Sequence, residues 1–437
     1  MKNTFGACVL LGACLGFTAL AAPTAAGAAD LGGSCCADLE ERIAELEATT
    51  ARKGNRKVSL TVAGQVNKAF LGWDDGFEDN VYVVGNKNDQ TNMSFTGEAE
   101  ITSEWRAGYD ITIRYVDNLS DLVSQDNVNG GSDLFIWQNH WWVESKTLGK
   151  FSLGRASRAS DTVPETDLSE TGVAAYVGVQ DIGGAFNLRL SNGALAPVVW
   201  GDLYNHFNGD TADLVRYDSP EYHGFIASAT WGDDDVWDVA IRYAHEGGGL
   251  NFGAAIAYTE LTDGTDPLIG NPLGLAQSTV LGSASLLHTG TGLNITFAGG
   301  HRTYDQAIVD VDGVTRTPKD PHYVYTKLGW LTKLNALGPT GFYGEYGWFK
   351  DFICATDNVD LLDALNATGT ATRIAGNEAD VWGLGVVQQV EAANMQIYLG
   401  YRHHTASFDL VDGAGASVAA RGIEAFDTVI AGSKIAF

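Results

Sequence analysis

The stretch RASRASDTVPETDLSETG, residues 155–172, places Asp161, Glu165, Asp167 and Glu170 within ten residues, just after Arg158. Two carboxylates such as Asp161 and Glu165 could act as acid and base in a hydrolase. His403-His404 could bind a metal, but adjacent residues on a strand point to opposite faces. The chain has no GxSxG or HExxH spacing to support either chemistry. A fixed electric field is the other use of these residues. Arg106, Arg114, Arg216 and Arg242 all fall on the polar phase of alternating segments. Carboxylates facing such arginines across a narrow aqueous neck make a transverse field, which orders water and disfavours apolar solutes. On an outer loop, the same carboxylates would be solvated surface charge. A second acidic row, Glu98, Glu100 and Glu104, shares one phase, so the expected net effect is a mild cation preference that neighbouring arginines cancel locally.

Such groups need a rigid frame, and the periodicity supplies one. Over residues 94–105, Phe95, Gly97, Ala99, Ile101 and Trp105 alternate with Ser94, Thr96, Glu98, Glu100 and Glu104. Tyr109, Ile111, Ile113 and Tyr115 alternate with Asp110, Thr112 and Arg114 in the same way, and Trp237, Val239, Ile241 and Tyr243 with Asp238, Ala240 and Arg242. Two-faced strands follow. Lys68 departs from the pattern, sharing phase with Val62, Val66 and Phe70; facing hydrocarbon it would cost about 2–4 kcal/mol. It belongs at a membrane border, at a subunit interface or past a bulge.

The 437 residues, 45% of them hydrophobic, suffice for a large fold, and 53 Gly beside 9 Pro and 3 Met suit strands and tight turns. A net charge of −27 argues against a nucleic-acid partner, which requires clustered Lys and Arg. Residues 1–28 read as a Sec signal peptide, with Lys2, an apolar run to Ala22 and the small-residue site AAGAA. A lipoprotein site at Cys14 is the competing reading. Residues 29–56 then hold a short amphipathic helix, with Leu39, Ile43 and Leu46 on one face, and a polar linker. That helix is too short for a coiled coil alone, and either lies on a surface or associates with copies of itself. Cys35, Cys36 and Cys354 are too few for a disulfide framework, and the state of the adjacent pair stays open.

Connections decide the architecture over 57–437. Seven short turns, near 105–108, 145–150, 218–221, 246–249, 289–291, 335–340 and 391–393, alternate with eight mostly longer connections at 73–91, 117–132, 156–211, 232–235, 262–276, 305–321, 355–377 and 409–422. This predicts sixteen strands with both ends on the short-turn side, as in an antiparallel transmembrane β-barrel. With apolar residues outward, sixteen strands enclose more volume than side chains fill, so water occupies the lumen. The third connection, by far the longest, is expected to fold inward and narrow it. The clusters Asp74-Asp75, Glu78-Asp79 and Asp233-Asp234-Asp235 fall in long connections, where they would share divalent cations with lipopolysaccharide or stay solvated; no other cofactor is expected.

Three stretches carry a resemblance. CADLEERIAELEATTARKGNRKVSLTVAGQVNKA, residues 36–69, closely resembles the start of mature porins of the alphaproteobacterial porin family. RYDSP at 216–220 with Gly224-Phe225 resembles the strand-to-strand turn of general diffusion porins, and AGSKIAF, residues 431–437, resembles their closing strand. The resemblance implies a homotrimer of 16-stranded channels in the outer membrane of a Gram-negative cell, each with its third loop in the pore, passing ions and small hydrophilic solutes. It also implies that Phe437 is read by the barrel assembly machinery. A channel selective for a sugar or a particular ion is the nearest alternative, and would need a row of lumenal aromatics; a hydrolase and an adhesin are remoter ones.

Overall fold

The computed structural model describes residues 57–232, 236–262, 275–353 and 359–437. The expected signal peptide and N-terminal helix, all the mature cysteines and Asp233-Asp234-Asp235 lie outside the described residues.

Alternation of apolar and polar residues produces antiparallel strands throughout. Sixteen form the wall: β1 (Thr61–Asp74), β2 (Asn92–Glu100), β3 (Trp105–Asp117), β4 (Ser132–Ser145), β5 (Gly149–Ser157), β6 (Thr211–Asp218), β7 (Phe225–Gly232) and β8 (Val236–Gly247). They continue with β9 (Leu250–Leu261), β10 (Gln277–His288), β11 (Leu293–Tyr304), β12 (His322–Thr332), β13 (Thr340–Lys350), β14 (Arg373–Val390), β15 (Met395–Val411) and β16 (Phe426–Ala436). Each pairs with its neighbours in sequence, and β1 meets β16 from Gln65↔Ala436 to Asp74↔Asp427, closing the ring. Closure removes the unpaired edge that hydrocarbon would not tolerate.

The apolar phase faces outward, with Phe70 and Leu328 each 60% exposed and Trp237, Val239 and Ile241 in the same row. The inner face is not polar throughout, as the alternation had suggested. On β12 to β16 it carries Tyr323, Tyr325, Tyr343, Phe349, Val381, Tyr398 and Phe426, all buried. These pack against a buried apolar core supplied by the third connection, including Phe186, Leu188, Trp200, Leu203 and Tyr204. Part of the expected open lumen is therefore filled by a folded segment.

The wall has one local break. The short strand Asp79–Gly85 pairs with the outer half of β1, whereas β2 pairs with its inner half. Between them the chain leaves the wall at Asn86, whose amide donates to Val173 O at 2.8 Å. Lys68 lies beside this seam and pairs with Asp117, the last residue of β3. The outward charge flagged by the sequence is thus neutralised by a carboxylate of a neighbouring wall strand.

One predicted turn is displaced. β2 stops at Glu100 and the turn is at 101–104, because the Thr102 hydroxyl accepts from the backbone N–H groups of Glu104 and Trp105 at 3.2 and 3.1 Å, diverting them from the ladder. β14 likewise starts at Arg373, inside the connection expected at 355–377.

Candidate functional site

The segment between β5 and β6, residues 158–210, runs along the inside of the barrel, and its backbone is held by side chains of the wall. At its root, Arg216 donates to the carbonyls of Ser157 and Arg158 at 2.8 and 3.0 Å, while Arg242 donates to those of Ala159 and Asp161 at 2.8 and 2.6 Å. Asp238 accepts from the Ala159 and Ser160 N–H groups, at 3.2 and 2.8 Å. Further along, Ser283 and Ser285 on β10 accept from Thr166 N and Leu168 N, at 3.1 and 3.0 Å. Lys327 on β12 reaches Asp167 at 2.6 Å and Ala175 O at 2.8 Å. Arg402 on β15 donates to Val179 O and Tyr176 O at 3.2 and 3.0 Å, and it is fixed by Glu345 through two bonds of 2.8 and 3.1 Å. These bonds, several of them charge-assisted, give the segment's backbone N–H and C=O groups partners inside the barrel, as buried backbone requires.

The segment is pressed against β8 to β16, leaving a space beside the opposite wall. A cavity of about 390 Å³ there is lined by Asp161, Glu165, Tyr176, Asp181, His206 and Asp210 from the segment, facing Lys87, Asp121, Arg114 and Trp137. A second of about 320 Å³ brings Glu165, Asp167 and Glu170 near Asp89 and Lys434. The third, about 530 Å³, holds Gln138, His140, Trp142, Lys150, Arg216 and Asp218.

Charge around these cavities is shaped by burial. Asp161 is 4% exposed; one carboxylate oxygen accepts from Asn208 Nδ2 at 2.8 Å and the other has no partner. Burial, and then the charge of Glu165, push its carboxyl above the usual range. Asp181, buried and bonded by the Tyr176 hydroxyl, is also pushed up, chiefly by desolvation. Burial lifts Asp121 to about 6 against the opposing pull of Lys87. Asp167 goes the other way: burial would raise it, but the Lys327 ammonium outweighs this and holds it below the ordinary value. Glu170 is raised by burial and by Glu391.

The residues singled out by the sequence separate into groups. Asp161, Glu165 and Arg114 meet around the first cavity, and Asp167 and Glu170 line the second. Arg216 and Arg242 hold the segment's backbone rather than confronting its carboxylates. Arg106 lines neither of these two cavities: it is paired with Glu98 at 3.3 Å and Glu144 at 2.8 Å beside a short turn. The expected lumenal row also breaks, because Glu104 sits in the turn and accepts from Ser145 Oγ and Thr147 Oγ1 at 2.8 and 2.7 Å. Glu98 and Glu100 remain on β2, both exposed. Asp75, expected at the outer surface, is 1% exposed and bound by Arg189 at 2.7 Å, which removes it from any shared cation. His403 pairs with Asp427 on one face and His404 contacts Tyr204 on the other. Phe437 directly follows β16, 63% exposed, with its N–H donating to Gly64 O at 2.9 Å.

Sequence reasoning missed Lys87, Lys327, Arg402 and Lys434. A signal existed for Lys327, which shares phase with Tyr323 and Tyr325, but an aromatic row on β12 reads as an outward face.

The family described as Gram-negative porin matches residues 16–409. No curated protein matches the chain. Among solved structures, in-vitro folded OmpT, an outer membrane protein of Vibrio cholerae, superposes with a TM-score of 0.52 at 13% identity, covering 88% of this chain and 99% of that one. Its trimer form gives 0.51 at 13% identity, covering 87% and 99%. An anion-selective porin from Comamonas acidovorans gives 0.50 at 14% identity, covering 87% and 100%. Such likeness establishes a shared barrel.

Proposed function

This chain belongs to the Gram-negative porin family, and from that premise we propose that it is a passive, water-filled channel of the outer membrane for ions and small hydrophilic solutes. The observation that carries this reading is the charged neck: Asp161, Glu165, Asp181 and Asp210 face Arg114 and Lys87 across a cavity of about 390 Å³. A barrel whose middle was packed solid would leave no such opposed charge around free space. In low-dielectric surroundings the field across the neck aligns water and polar solutes and penalises apolar ones, whose passage would break that order. The carboxylates outnumber the bases there, which favours a mild cation preference. Segment 158–210 is the constriction in this reading.

The working form is a homotrimer embedded in outer-membrane lipid and lipopolysaccharide, delivered by a Sec signal and the barrel assembly machinery. The trimer form of the Vibrio cholerae protein and the exposed apolar outer wall support that assembly. The alphaproteobacterial branch rests on the sequence of residues 36–69. Selectivity is passive and electrostatic, with no catalytic step.

Planar-bilayer recording tests the reading. Stable ohmic steps in threes, with a reversal potential in a salt gradient displaced toward the cation, are expected. Protein of proven β-sheet content that never conducts refutes it.

A further inference from the structure

Two indoles on one strand line the free space, and one of them, Trp137, belongs to the charged neck, donating its Nε1–H to Asp210 at 3.3 Å. β4 lines the free space with Trp137 in the 390 Å³ cavity, and with Gln138, His140 and Trp142 in the 530 Å³ one. Strict alternation would give the lumen only the even-numbered residues. The register slips between Thr112↔Gln138 and Ile113↔Ile136, so Trp137 is the extra residue of a bulge and lines the lumen beside Gln138. Trp142 comes close against β3 because Gly108 faces it; a Cβ there would stand 2.3 Å from the indole.

Each indole lies under a cation. The Arg114 guanidinium carbon is 3.3 Å from the Trp137 ring centroid, and Lys150 Nζ is 4.8 Å from that of Trp142. Among the described residues, neither cation has a carboxylate oxygen within 4.0 Å. That contrasts with Arg402, Arg216 and Lys327, which are all paired with acids. Between the indoles, His140 Nδ1 is buried without a partner. The two rings are five residues apart, about 16 Å along the strand at ~3.3 Å each, so a small solute would engage them in turn.

We propose that the inner face of β3, β4 and β5 is a binding track for small aromatic carboxylates in transit. This deepens the channel reading and rests on it. An ammonium or guanidinium over an indole keeps its outward N–H groups open, and a carboxylate completes them with charge-assisted hydrogen bonds. The ring attached to that carboxylate then packs beside the indole and the cation, where an aliphatic acid makes less contact. A sugar would need a bare indole face, and Arg114 already covers one face of Trp137. Asp210, which accepts from the Trp137 indole N–H at 3.3 Å, repels the solute's carboxylate together with Asp161 and Glu165 and turns it toward Lys150 and Trp142.

The test is block of single-channel current in planar bilayers by benzoate, with acetate as charge without ring and benzyl alcohol as ring without charge. Block is read as a fraction of each variant's own solute-free current, and barrel content is checked by circular dichroism. Saturable benzoate block is expected with a midpoint on the order of 1 mM, at least about tenfold below that of either control. Trp142→Ala and Lys150→Met should each raise the midpoint about tenfold, and Trp142→Phe should retain most of the block. A conducting channel in which benzoate and acetate act equally, or in which Trp142→Ala blocks like the parent, overturns the track and leaves the channel reading standing. A folded barrel with no conductance overturns both.

Discussion

Lys327 and Asp167 join the barrel wall to the segment inside it: Nζ lies 2.6 Å from the carboxylate and 2.8 Å from Ala175 O, with Lys327 1% exposed. The lysine therefore compensates a buried acid and caps a carbonyl at once. Replacing it with methionine leaves Asp167 charged and unpaired, a loss of about 3–5 kcal/mol for a buried pair. Thermal unfolding of detergent-solubilised Lys327→Met should show a clear drop, partly recovered in the double variant Lys327→Met/Asp167→Leu. Equal stabilities of the single variant and the parent would contradict the role assigned to this contact.

The same pair sets a pH dependence of stability. Asp167 is held below its unfolded value of about 3.9, so its contribution is complete above that pH and disappears as pH falls through the lower folded value. Melting temperature should decline below about pH 4, and less steeply in the double variant, which lacks the titrating group.

Asp161 and Asp181 have the opposite sign. Burial raises both above the unfolded carboxylate, and it places Asp121 near 6, so protons bind these groups more tightly in the folded state. Their protonated forms favour the fold, an advantage lost as pH rises through the folded values. For conduction, acidification from pH 7.5 to 5 neutralises part of the neck. The reversal potential should move toward anions over that range, as Asp121 protonates near 6, and by less in Asp121→Asn; a constant value would place this acid off the conduction path.

Charge removal should depend on place. Asp161→Asn with Glu165→Gln takes two negative groups from the cavity that holds Arg114, and selectivity should shift toward anions. Glu98→Gln, whose partner Arg106 is beside a short turn, should produce a much smaller shift. Similar reversal potentials for the two would mean that the whole lumen, rather than a neck, sets the preference.

Arg402 ties Tyr176 O and Val179 O to Glu345, itself buried. Arg402→Met strands that carboxylate and releases two carbonyls, at a cost of about 3–5 kcal/mol. Segment 158–210 should become cleavable by protease from the outer side, with noisier and larger current steps. Phe437→Asp should lower the amount of assembled protein in the membrane while leaving synthesis unchanged; normal yields would remove the terminus as a sorting signal.

Period-two alternation, turn residues and the long third connection were enough to read a sixteen-stranded closed barrel, because strand faces and turns depend on neighbours a few residues apart. Asp161, Glu165 and Arg114 were legible for the same reason: their phase and clustering are local properties. What the chain's order concealed was pairing across distance. Asp167 finds Lys327 160 residues away, Arg402 holds Tyr176 from 226 away, and Arg189 captures Asp75 from 114 away. Each partner was chosen by the closed ring, which brings opposite walls to one segment. The bulge that brings Trp137 into the lumen, and the turn that withdraws Glu104, likewise belong to the tertiary structure. A one-residue slip reverses the face of every residue beyond it, and only the paired strand records where that slip occurs.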